Sequence, residues 1–208
     1  MFIPEKIHTV WIGNNEIPEK EKQLIEKNKS IVSNYEYIIW NNDNYKELLE
    51  PRVEPFINKA LENKKYAFVS DCLKLLALKK FDGWAIDADV EIFQPFKLFE
   101  HLHWVSGFES YGENLSPITA TWGAIPDHHF TIFLLEFYSH IGNYDKITSM
   151  PNTRWISWLL YDNGVRNTND TQYVPAYDVT LLPDYVFCNP FNGDKSYTMH
   201  HFSGSWLK

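Results

Sequence analysis

Along the chain, apolar positions shift between strand-like and helix-like spacing. Ile7-His-Thr-Val-Trp-Ile12 is rich in β-branched and aromatic residues and runs into Gly13-Asn14-Asn15, which predicts a first strand and its turn. Pro18 and the charged run to Lys29 predict a solvent-facing helix begun by proline. Tyr35–Trp40 reads as a second strand, closed by the polar cluster Asn41–Asn44, which is expected to cap a following helix. From Lys65 to Phe81 the apolar set Phe68, Leu73, Leu76, Leu78 and Phe81 predicts a largely buried helix stopped by Asp82-Gly83. Trp84-Ala-Ile86 is then a short apolar strand leading into Asp87-Ala-Asp89. Strands are expected at Trp104–Phe108 and Ile118–Ala124, and helices from Pro126 to about His140 and near Trp155–Tyr161. Strand and helix alternating in this way predicts one α/β domain over residues 1–208, with a sheet of nucleotide-binding type.

Charge narrows the choice of partner. The net charge is −8 and no Lys/Arg run exceeds a pair, so the basic stripe that a nucleic-acid binder needs is missing. No apolar stretch approaches the ~20 residues of a membrane span, and no leader-like run precedes the first strand. The expectation is a soluble cytoplasmic protein with at most peripheral membrane association. Cys72 and Cys188 give no metal spacing and read as reduced thiols. Aromatic residues make up 16% of the chain, enough both to fill a core and to grip flat ligands.

Asp87-Ala-Asp89 falls where an apolar strand leaves the sheet, the edge at which open α/β sheets bind ligands. Strand alternation would place both acids on one face, where they repel unless water or a cation intervenes. Carboxylates suit Mg²⁺ or Mn²⁺, and such an ion would let an acidic protein present positive charge to a diphosphate. A solvated acidic turn is the other reading, and Glu91 extends the acidic run. A strand ending in Asp-x-Asp is also similar to haloacid-dehalogenase-type phosphatases, in which Asp87 would be the nucleophile. Glu91 stands where that motif has Thr or Val, and Asn192-Gly193-Asp194 only faintly imitates its later metal loop.

Four segments in order carry a fuller resemblance: Ile7–Gly13, Val69-Ser70-Asp71, Gly83–Asp89, and the tail His200-His-Phe-Ser-Gly-Ser-Trp206. Together they resemble the glycosyltransferases whose sugar-binding region contains a DXD motif. This family includes Golgi mannosyltransferases, α-galactosyltransferases and bacterial capsular polysaccharide enzymes; the catalytic domains of large glucosylating toxins are more remotely similar. The resemblance implies a GT-A fold with a Rossmann-like, mostly parallel sheet flanked by helices, and transfer with retention from a nucleotide-sugar. UDP-sugar is expected over GDP-sugar, with Mn²⁺ (or Mg²⁺) as cofactor. The implied acceptor is a glycan or lipid-linked oligosaccharide of capsule or lipopolysaccharide synthesis.

Carried over by position, the resemblance makes Asp89 the direct metal ligand and places Asp87 against metal, ribose or sugar. His200 or His201 becomes a third metal ligand; adjacent residues of a strand point to opposite faces, so at most one reaches the ion. Trp11 becomes a platform for the base, although a first-strand Trp can equally be core. Asp71 binds sugar hydroxyls, although an acid in a first helical turn can also serve the helix dipole. Ser205 and Trp206 touch the diphosphate. The chain departs from the family pattern at Asp82-Gly83 (usually Gly-Gly), at Ala85 (often aromatic) and at Lys74, a donor-site position that often holds Arg. These departures bear on the identity of the donor sugar. A catalytically inactive nucleotide-sugar-binding protein would share the fold; intact Asp71, Asp87, Asp89 and tail weigh against it.

Overall fold

The computed structural model describes residues 1–111, 114–118 and 120–204. Strand β1 (Lys6–Val10) leads through helix α1 (Glu19–Ile31) to β2 (Glu36–Trp40). Helices α2 (Glu54–Glu62) and α3 (Tyr66–Phe81) precede β3 (Gly83–Ile86) and the short β4 (Val90–Ile92). Then come β5 (Trp104–Gly107), the antiparallel pair β6 (Glu109–Tyr111) and β7 (Asn114–Ser116), and β8 (Thr121–Ala124). Helices α4 (His129–Ser139), α5 (Tyr144–Ile147) and α6 (Asn152–Asp162) lead to β9 (Gln172–Val174) and β10 (Val179–Leu182). The described chain closes with α7 (Asp184–Phe187) and β11 (Thr198–His200).

Seven strands form the central sheet in the order β2-β1-β3-β8-β5-β10-β9. All run one way except β8 and β9, so the carboxyl ends of β1, β3, β5 and β10 share an edge. Pleating sorts side chains between two cores. Val10 and Ala85 face α2, α3, α4 and α6, while Ile7, Trp84 and Ile86 face Phe96, Phe99 and Phe187. Trp84 stacks on Phe96 at 4.2 Å and lies over Gly123, where a Cβ would come within 2.7 Å of its ring.

Most predicted elements are present with shifted ends. The helix expected from Pro126 begins at His129, whose N-cap His128 accepts from the Phe130 N–H. Asn41–Asn44 precede only a 3₁₀ turn at Tyr45–Leu48. The Asn44 side chain instead joins the Asn41 N–H to the Ile39 carbonyl, bracing the end of β2. Helices α2, α5 and α7 and strands β4, β6, β7, β9 and β10 were not predicted. These strands are three or four residues long, too short to show a period.

The turn between α3 and β3 sets the depth at which β3 enters the sheet. Asp82 closes α3 with its N–H on the Leu78 carbonyl, at φ 56° and ψ −164°, a region that otherwise belongs to glycine. Gly83 follows at φ +91°, where a Cβ would lie 2.6 Å from the Lys6 carbonyl oxygen. Buried His8 fastens this turn. Trp40 Nε1 donates to His8 Nδ1 (3.2 Å), which leaves Nε2–H to donate to the Asp82 carbonyl (2.7 Å). Both ring nitrogens are satisfied only in the neutral form, and a second ring proton would face the Trp40 N–H.

Two outcomes are expected. Asp82→Gly should unfold at higher urea than Asp82→Ala, by about 1 kcal/mol or more, because both lose the carboxylate facing Lys6 and only glycine relieves the backbone. Burial, reinforced by nearby Lys6, lowers the His8 pKa from 6.5 to about 4 against the opposing pull of the Asp82 carbonyl. The folded chain therefore binds fewer protons than the unfolded chain between those values, and stability falls as the pH drops through that window. The loss amounts to about 3 kcal/mol over the full range. Urea titrations from pH 7 to 5 should show this slope, and His8→Gln should reduce it, leaving the share of His128, which burial also lowers to about 4.

Candidate active site

The acidic segment lies at the carboxyl edge of β3. Asp87 donates its N–H to the Ala120 carbonyl (3.1 Å) and accepts the Val90 N–H on its own carbonyl (3.1 Å). Asp87–Asp89 is therefore a tight turn between β3 and β4, and the alternation expected of a continuing strand does not apply. The acids converge because β11 returns antiparallel to β4, with His200 opposite Val90. The His201 N–H reaches the Asp89 carbonyl (3.0 Å), and the Ser203 N–H donates to Asp89 Oδ2 (2.7 Å). His200 Nε2 stands 3.4 Å from Asp89 Oδ1. One ligand atom from each of Asp87, Asp89 and His200 fits within a mutual distance of 4.8 Å.

Behind the turn, Lys74 of α3 reaches Asp87 Oδ1 at 2.6 Å and Asp71 Oδ1 at 3.2 Å. It is 4% exposed and lies 4.6 Å from the Trp122 ring centre. Burial alone would lower its pKa, but Asp87 and Asp71 together raise it, so the ammonium stays charged. Burial moves Asp71 up to about 6, against the pull of Lys74. For Asp89, burial pushes upward while His200 and the Ser203 amide pull further down, leaving it below the ordinary range. Burial would lower His200, yet Asp89 and Glu109 raise it to about 10. The acidic side chains Asp71, Asp87, Asp89 and Glu109 thus outnumber the basic ones, Lys74 and His200, around the turn, an arrangement that favours a bound cation. Two carboxylates and an imidazole are donors suited to such an ion.

The remaining expected residues divide. His201 turns away from the acids: its Nε2 lies 2.8 Å from Glu91 Oε2, and Glu91 also pairs with Lys27. These three side chains, with Lys20, Gln23 and Leu24, line a shallow depression of about 270 Å³ against α1. Half-buried Trp11 stands just beyond β1 on the same sheet edge as Asp87, its indole N–H on the Asn15 carbonyl (2.9 Å). Ser205 and Trp206 lie outside the described residues.

Three contributors were not read from the sequence. Asn28 is buried on α1 and clamps β4 at both ends of its amide, Nδ2 to the Val90 carbonyl and Oδ1 from the Ile92 N–H, each at 2.8 Å. The signal was present: Glu21, Ile25, Asn28 and Val32 form one buried helical stripe, with a polar residue at a core position. Asn152, the first residue of α6, turns its amide toward Asp71. Glu109 leaves the carboxyl end of β5 toward His200 and carries no sequence signature.

Residues 18–108 match the family model described as "Glycosyltransferase sugar-binding region containing DXD motif". That stretch of the chain is similar to the sugar-binding region of the DXD glycosyltransferases. Among solved structures it is similar to the PaToxG glycosyltransferase, with a TM-score of 0.58 and 18% identity over 77% of this chain and 70% of that one. At that identity the likeness shows the fold, which is GT-A. Two further matches are the ligand-free glycosyltransferase domain from the YGT toxin and a glycosyltransferase involved in glycosylating the major capsid of PBCV-1. The first has a TM-score of 0.44 and 10% identity over 80% and 69% of the two chains. The second has a TM-score of 0.46 and 14% identity over 97% and 94%. No curated protein matches the sequence significantly. Among the described residues, no helix is long and apolar enough to cross a membrane.

The buried Lys74 holds the acidic site together, so its loss should be felt first in stability. Lys74→Met is expected to cost about 3 kcal/mol, because Asp71 and Asp87 are left without their shared partner. Lys74→Arg should recover most of that in the same urea titration.

Proposed function

We propose that this glycosyltransferase is metal-dependent and retaining, and takes its sugar from a nucleotide-sugar donor. The observation that carries the reading is the convergence of Asp87, Asp89 and His200 at the carboxyl end of β3, among more acidic than basic side chains. Asp89 and His200 would hold the cation together with Asp87, whose Oδ2 is not engaged by Lys74. Mn²⁺ suits a set containing imidazole better than Mg²⁺ does. The cation supplies Lewis-acid stabilisation of the negative charge that develops on a departing diphosphate.

The chain's own residues do the rest. Lys74 fixes the direction of the Asp87 carboxylate, and the Ser203 amide fixes that of Asp89, so the acids are set before a donor arrives. Asp71 shares Lys74 and lies close enough to Asp87 for their charges to act on each other, within reach of sugar hydroxyls at the same edge. Trp11 offers an indole on that edge for the base, and by analogy with the toxin enzymes this favours uracil, hence UDP-sugar. Ser205 and Trp206 would complete the diphosphate contacts. Retention of anomeric configuration follows the family resemblance. The acceptor we infer is a glycan or lipid-linked oligosaccharide of capsule or lipopolysaccharide synthesis, met in the cytoplasm or at the inner membrane face.

The test is calorimetry with UDP, with and without Mn²⁺, on the wild type and on Asp89→Asn. Wild type should bind UDP at least tenfold tighter with Mn²⁺, and slow hydrolysis of a UDP-sugar should follow. Asp89→Asn should lose the Mn²⁺ effect and cut turnover by about two orders of magnitude or more while its urea midpoint stays near wild type. UDP binding indifferent to Mn²⁺ in the wild type would refute the reading.

A further inference from the structure

His200 is gripped from two sides, and only one has been accounted for. Its Nε2 faces Asp89 at 3.4 Å. Its Nδ1 is buried and makes no hydrogen bond among the described residues, with Glu109 Oε2 standing 3.8 Å away. The Phe202 ring lies against the imidazole at 4.0 Å between centroids and limits its rotation. Cys188 is the other polar side chain close by, its Sγ within 4.8 Å of ligand atoms of Glu109 and His200. It is fully buried, its thiol faces Asn189 Oδ1 at 3.5 Å, and burial, foremost, keeps it protonated. Glu109 is therefore the charged acceptor available to Nδ1.

From this geometry we infer that Glu109 is the positioning residue for His200: it accepts the Nδ1–H, so the Nε2 lone pair is presented to a cation held by Asp87 and Asp89. An imidazole that binds a metal through one nitrogen must carry its proton on the other. A carboxylate facing that proton fixes both the tautomer and the ring plane. Topology makes the pairing possible. β5 ends at Gly107 on the edge where β3 ends at Ile86, and the Phe108 N–H on the Leu182 carbonyl (2.8 Å) holds the chain there as it turns into β6. Glu109 then emerges beside the strand that carries His200. Glu109 contacts neither sugar nor cation in this scheme and acts through the histidine alone. The inference rests on the metal-dependent reading of the site.

The test is Mn²⁺ affinity, measured by electron paramagnetic resonance of the free ion, with and without UDP, so that turnover does not enter. Glu109→Gln should weaken Mn²⁺ binding by about 10- to 100-fold. Glu109→Asp keeps the charge but shortens the reach, so it should also weaken binding. In a His200→Ala background, Glu109→Gln should cost little more, because the histidine through which it acts is gone. Wild-type affinity in Glu109→Asp would overturn the inference, as would an equal loss from Glu109→Gln with and without His200, which would mark a bulk charge effect. Failure of the wild type itself to bind Mn²⁺ would instead remove the metal-dependent reading, and this inference with it. Should Glu109→Gln fail to fold, Glu109→Asp alone decides.

Discussion

The site depends on the pairing of β11 with β4, two strands of three residues, one before the middle of the chain and the other near its end. Without that ribbon, Asp87-Ala-Asp89 would be an acidic turn open to water. With it, the Ser203 amide and the His200 ring close over Asp89, and like charges are held nearer than they would choose. So short a ribbon is weak alone. It is reinforced from below by Asn28, which treats the β4 backbone as a neighbouring strand would, and from outside by the chain of polar contacts Lys27–Glu91–His201.

Repulsion among the acids is contained by unequal means. On the α3 side it is met by a buried ammonium that cannot leave: Lys74 touches both Asp71 and Asp87 and is sealed by Trp122. On the tail side it is met by an imidazolium with two neighbouring carboxylates. Lys74 is a permanent part of the structure. In the proposed metal-dependent reading, a cation would take the place of the His200 proton, since both compete for the same nitrogen. The two faces of the acidic turn would then differ, one held by a fixed ammonium and the other open to a ligand.

How much of this was legible follows from the length of each signal. The strands at Ile7 and Tyr35 and the helix to Phe81 are long enough to show a period, and Asp82-Gly83 announced its turn through glycine. The acidic pair was visible as chemistry, but its geometry was misread, because a strand of four residues gives no warning of where it stops. Which histidine joins the acids was undecidable from His200-His201 alone. The answer depends on the register of β11 against β4, a long-range fact. Glu109 was invisible, and the helical stripe that marks Asn28 as buried could not name its partner, for a related reason: each acts on a segment more than sixty residues away in sequence.

Asp82 shows how departures from a family pattern can be read physically. The turn from α3 into β3 needs two successive residues at positive φ, and Gly-Gly would supply them without strain. This chain keeps glycine only at the second, where a Cβ would strike the Lys6 carbonyl. At the first it accepts a strained aspartate and adds two attachments, the carboxylate facing Lys6 and the carbonyl held by His8. The strain sits one short strand away from the acidic turn, so any relaxation of Asp82 would slide β3 and carry Asp87 with it. The buried His8–Trp40 pair resists that slide, and in this way a core hydrogen bond on the far side of β1 helps to fix the position of the candidate metal site.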